Sequence, residues 1–164
     1  MLEPPTRRTI GPQLPASGTV LKLGDQLRDF ARLVGKRLNT VHREVSIKLF
    51  TSIVYDTPID TGLARGSWHP SLGTPFLGGP TRIDKGGNVV ANQIELTFKS
   101  ATINEVSFLS NNVPYIIPLE YGWSSQAREG MVRINVARFH RIVSEEVAAA
   151  KAGNRQGISM MERL

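Results

Sequence analysis

Eight apolar residues, Leu27, Phe30, Val34, Leu38, Val41, Val45, Leu49 and Ile53, recur at steps of three and four. That is the period of one helix face. No other feature of the chain restricts its fold as strongly. The spacing predicts a single helix over residues 25–55, about 45 Å long at the α-helical rise. Asp25 near its start suits the helix dipole. Gly35 weakens its middle without breaking it, and Pro58 marks its end. In a chain of 164 residues, a helix of this length is expected to pack on a sheet along one part and on a neighbouring subunit along the rest. Arg28, Arg32, Lys36, Arg37, Arg43 and Lys48 decorate its other faces. They read as a solvated surface rather than a binding stripe.

Around this helix the chain changes character several times. Residues 1–20 carry Pro4, Pro5, Pro12 and Pro15 and few apolar side chains. They read as an extended arm, either a disordered tail or a segment that orders against a neighbouring subunit. A strand is expected around Ser67–Leu72. Residues 73–88 hold five Gly and two Pro and read as a long flexible loop. Ile94, Leu96 and Phe98 alternate with Glu95, Thr97 and Lys99, so residues 89–99 are expected to form a half-buried strand. Residues 105–110 are a further strand, and Asn111 and Asn112 turn the chain. Residues 113–121 suggest a short helical turn ended at Gly122. Val132, Val136, Phe139, Val143, Val147 and Ala150 predict a second amphipathic helix over 130–152, stopped by Gly153, although its β-branched start keeps a strand in contention. Residues 154–164 form a short tail. The expected fold class is α+β: a long N-terminal helix and a C-terminal helix on a small antiparallel sheet, with an extended arm. Residues 21–153 would form the single domain.

The sequence excludes several chemistries. It has no Cys, which removes thiolate metal sites, disulfides and Cys nucleophiles. No run of eighteen apolar residues predicts a membrane span, and the N-terminus lacks the apolar core of a signal peptide. His42, His69 and His140 stand apart, without partners at metal-ligand spacing. Gly122-Trp123-Ser124-Ser125 lacks the second Gly of a nucleophile elbow. The glycine loop has no Gly-Lys-Ser/Thr ending to cradle phosphate. Glu145-Glu146 reads as a solvated helix exterior. Asp60-Thr61-Gly62 matches the triplet of aspartic proteases, in which two carboxylates share a proton. Its neighbours do not match: Asp56-Thr57-Pro58 precedes it where an apolar strand is needed. A turn capped by Asp60, with Gly62 supplying backbone freedom, accounts for the triplet. The chain is therefore expected not to be an enzyme, with no catalytic residue, metal or cofactor.

Two longer segments carry more information. The first is Thr57-Pro58-Ile59-Asp60-Thr61-Gly62-Leu63-Ala64-Arg65-Gly66-Ser67-Trp68. The second is Pro114-Tyr115-Ile116-Ile117-Pro118-Leu119-Glu120-Tyr121-Gly122-Trp123-Ser124-Ser125-Gln126-Ala127, continuing to Gly130-Met131-Val132-Arg133. In order and spacing they resemble the small neck and tail-completion proteins of long-tailed bacteriophages, the group that includes minor tail protein Z-like chains. The resemblance covers residues 25–150. Arg128 stands where that family carries Pro, and Pro118 interrupts the Tyr-to-Glu turn.

The resemblance implies a structural virion protein, made in the host bacterial cytoplasm. It would form a homo-oligomeric ring, six-fold as tail rings are, at the head-proximal end of the tail. It would contact tail-tube and head-connector or stopper proteins, with DNA passing through its bore. A tail terminator capping the tube is the alternative within that class, and a nucleic-acid-binding protein the alternative outside it. Asp60, Thr61, Gly62, Arg65, Trp68, Tyr115, Glu120, Tyr121 and Gly122 would build the fold motif. Arg65 is expected to pair with Glu120, with Trp68 and Tyr121 packed beside them. Trp123, Ser125, Gln126, Arg128, Met131 and Arg133 would face a neighbour or the tube. The net charge of +6 is spread over the arm and both helices. It is expected to meet acidic protein surfaces by complementarity.

Overall fold

The computed structural model describes the backbone of residues 17–161 and the side chains of residues 25–152. Most of the expected arm and the end of the expected tail lie outside the described residues. Helix α1 spans Ser17–Asp56, so it begins inside the stretch expected to be extended. The chain divides between Gly35 and Lys36 into two units. In the first, Leu27, Phe30 and Val34 are exposed. Arg28 pairs with Asp25 and Arg32 with Asp29, each three residues apart on α1. These bases are engaged by acids of their own helix.

The second unit holds the core. There the predicted apolar face of α1 is buried at Val45 and Ile53, with Leu49 packed beside the core. Helix α2 (Leu63–Gly66) follows, then strand β1 (His69–Leu72), helix α3 (Asn88–Phe98) and strand β2 (Ser107–Ser110). The strands pair antiparallel, His69 opposite Ser110 and Leu72 opposite Ser107. Short helices α4 (Ile116–Glu120) and α5 (Val132–Ala137) precede α6 (Phe139–Met161). Helices packed with a two-stranded antiparallel sheet make the fold α+β. The core gathers Ile53 and Val54 from α1 with Trp68, Met131, Ala101 and three residues of α3. Each fully buried Ile or Phe here contributes on the order of 1.5–3 kcal/mol.

Two of the expected elements are corrected. Residues 89–99 form helix α3, not a strand. Val90, Ile94 and Phe98 are fully buried at steps of four, while Leu96 is exposed. The alternation of Ile94, Leu96 and Phe98 overlaps a helical period that starts at Val90. The helix is set by Asp84, whose carboxylate accepts the N–H groups of Gly87, Val89 and Val90 at 2.8, 2.9 and 3.3 Å. That satisfies N–H groups which a helix leaves without internal partners.

The expected C-terminal helix breaks at Arg138 into α5 and α6, and α6 continues past Gly153 to Met161. A single Gly costs a helix only about 1 kcal/mol. The buried face also differs from the predicted one. Val136 and Phe139 are exposed, while Asn135, Ile142 and Glu146 are buried. Two of these are polar and paired: Asn135 donates to Asp56 at 2.8 Å, and Lys48 donates to Glu146. The bond to Glu146 holds the Lys48 pKa above its ordinary value. A search for apolar periodicity passes over such a face.

The 73–88 loop is held at several points. His69 stacks on Phe76, with ring centroids 3.9 Å apart. Asn112 donates to the carbonyls of Phe76 and Gly78 at 3.2 and 2.6 Å. The Asp84 amide donates to the Gly62 carbonyl at 3.1 Å.

Candidate functional site

The first motif builds the exit from α1. Thr57 is fully buried; its hydroxyl donates back to the Ile53 carbonyl at 2.7 Å and accepts the Trp68 indole N–H at 2.8 Å. Arg65 lies buried beneath it. Its Nη2 donates to the carbonyls of Tyr55 and Thr57 at 2.6 and 2.7 Å, and its Nη1 to the Lys85 carbonyl at 3.1 Å. Carbonyls at a helix C-terminus lack intrahelical partners, and a cation there also meets the negative end of the dipole. Burial pushes the Arg65 pKa down, against the pull of Asp84 and Asp56. Gly62 has φ of 91°. A Cβ there would also lie 2.8 Å from the Lys85 backbone. Asp60 and Thr61 are exposed. The turn is closed by the Thr61 hydroxyl, which accepts the Leu63 amide at 3.3 Å, rather than by the expected Asp60 cap.

The second motif builds a helix stop followed by a helix start. Trp123 N–H reaches the Pro118 carbonyl and Gly122 N–H the Leu119 carbonyl, at 3.2 and 3.3 Å, with φ of 90° at Gly122. This is a Schellman ending of α4, as expected for Gly122. Glu120 then turns its carboxylate onto the N-terminus of α5. It accepts the amides of Met131, Val132 and Arg133 at 2.8–2.9 Å and the Arg133 Nε at 3.2 Å. Burial alone would raise the Glu120 pKa; the backbone N–H groups of Val132, Arg133 and Met131 outweigh it and hold it below the ordinary value. Gly130 admits this approach, since a Cβ there would lie 2.5 Å from the Glu120 carbonyl and carboxylate oxygens.

Arg65 and Glu120 are therefore not partners. Each side chain is occupied by backbone groups of its own neighbourhood, and the ion pair of Glu120 is with Arg133. Trp68 is buried in the core, whereas Tyr121 is exposed and stacks under the Arg133 guanidinium at 4.9 Å. The two motifs meet through Gln126. Its side-chain amide accepts the Ile59 N–H at 2.9 Å and donates to the Ile59 carbonyl at 3.0 Å, as a strand neighbour would.

The residues expected at an interface separate into two sets. Met131 is fully buried in the core, Gln126 is bonded to Ile59 and Arg133 to Glu120. Trp123, Ser125 and Arg128 are exposed, and Trp123 shows 79% of its surface. Tyr115 is partly open on the same side of α4, lining with Trp123 a groove of ≈ 420 Å³.

Asp84 and Asn135 are structural residues that sequence reasoning missed, and Thr57 entered it only as the first residue of the first motif, without its buried role. Asp84 had a readable signal, standing just ahead of Gly87 and the 90/94/98 spacing. Among the described residues, no group of three or more His, Asp or Glu is placed to hold a metal ion. No helix among them is long and apolar enough to cross a membrane. Comparison with protein-family models, curated proteins and solved structures finds no match.

Proposed function

We propose that this chain is a structural virion protein of a long-tailed bacteriophage. It forms a ring at the head-proximal end of the tail, completes the tail and joins it to the head connector. One observation carries the reading beyond the sequence resemblance. The two segments that bear the resemblance, separated by more than forty residues, form one interlocked substructure through Gln126 and Ile59. Within it, Arg65 and Glu120 are spent on backbone groups, an architectural use of charge. The aromatic Trp123 is left facing outward, as anchors of protein interfaces are before assembly. A ring of one chain needs heterologous contacts that close by rotation, so two different surfaces must be available on each copy.

The test is a phage carrying an amber codon in this gene. The expected outcome in a non-suppressing host is filled heads beside tails that fail to join them, or tails of irregular length. Normal infectious particles would sink the reading.

A further inference from the structure

The groove between the two motifs is flanked by two aromatic side chains and one carboxylate. Pro58 and Leu119 help line it, Tyr115 and Trp123 flank it, and Asp60 is exposed at its edge. Aromatic-lined grooves of this kind take proline-rich segments. In a polyproline II helix, with three residues per turn, prolines three apart lie on one edge. An acid beside such a groove selects a ligand with nearby Arg.

The chain carries a segment of this composition. Residues 1–16, outside the described structure, contain Pro4-Pro5, Arg7-Arg8 and Pro12-Gln13-Leu14-Pro15. Pro12 and Pro15 have the three-residue spacing, and the two Arg complement Asp60. We infer that the groove of one copy receives the proline-rich segment 1–16 of a second copy. Pro12 and Pro15 lie against Tyr115 and Trp123, and Arg7 or Arg8 pairs with Asp60. The contact is heterologous, arm to groove, and so can repeat around a closed ring. This deepens the ring reading above and rests on it.

Sedimentation velocity of the full-length chain over a concentration series tests it. Wild type is expected to self-associate. Trp123→Ala removes an exposed side chain and spares the core; it is expected to weaken association by at least about tenfold. The double variant Pro12→Ala/Pro15→Ala is expected to do the same. Mixing the two variants restores one contact, because one keeps its arm and the other its groove. The mixture is expected to give one-to-one pairs and nothing larger. A synthetic peptide of residues 1–16, in excess, is expected to dissociate the wild-type assembly. The inference is overturned if wild type stays monomeric throughout, if the proline variant associates like wild type, or if the mixed variants remain monomers. The amber phenotype is read separately. Failed association with failed head–tail joining removes this contact alone, whereas normal particles remove the ring reading.

Discussion

Arg65 stands where the long helix ends and the chain returns, and its guanidinium serves the carbonyls of Tyr55, Thr57 and Lys85. Replacing it by Ala takes the guanidinium donors from the buried Thr57 carbonyl and from the half-buried bonds to Tyr55 and Lys85. Arg65→Ala is expected to cost about 3 kcal/mol or more in denaturant unfolding. The exposed Arg128→Ala should stay within about 0.5 kcal/mol of wild type, and equal midpoints for the two would remove the proposed role. Glu120 gives a prediction of a different form. Its folded-state pKa is depressed below the ordinary 4.5, so its contribution is fully present above that pH. It is lost as pH falls through the folded value. The stability gap between wild type and Glu120→Gln should therefore be widest above pH 4.5 and narrow on acidification. A gap independent of pH would show that the carboxylate charge is not what the amides of residues 131–133 hold.

Among the elements, α3 is the one whose type depends most on a single neighbour. Its N-terminus follows Gly87 at φ 76°, with no side chain of its own in the capping role. Asp84 fills that role from the preceding loop with three N–H bonds. Asp84→Ala is expected to cost about 1–2 kcal/mol and to speed hydrogen exchange in the first turn of α3. Unchanged protection at residues 89 and 90 would count against it. The same element shows how local pattern misleads. Ile94, Leu96 and Phe98 satisfy a two-residue alternation over a window too short to separate it from the helical set Val90, Ile94 and Phe98. Only the burial of Val90 and the exposure of Leu96 decide between them. By contrast, the C-terminal half of α1 and the α4 stop at Gly122 were readable. A long stripe and a glycine with positive φ are properties of the chain near themselves.

For the whole molecule, folding and assembly should be separable by mutation. Arg65 is spent inside the unit, so its loss acts on the fold. Trp123 packs on nothing that the core requires, so its loss should act on assembly. A phage complemented with Trp123→Ala protein is expected to fail in plaque formation although the purified variant melts with wild type. Full complementation would show that this surface is not a contact in the virion.

Periodicity and turn chemistry, read along the chain, were enough for the α+β class, the long helix, both short strands and the glycine stop of α4. Those features follow from side-chain spacing and backbone freedom within a few residues. The tertiary structure alone decided the partners of Arg65, Glu120 and Gln126, the burial of Met131, and the polar inner face of α5 and α6. Each depends on which carbonyls and N–H groups remain unpaired once distant elements have packed. Buried polar groups take the partners that packing leaves them.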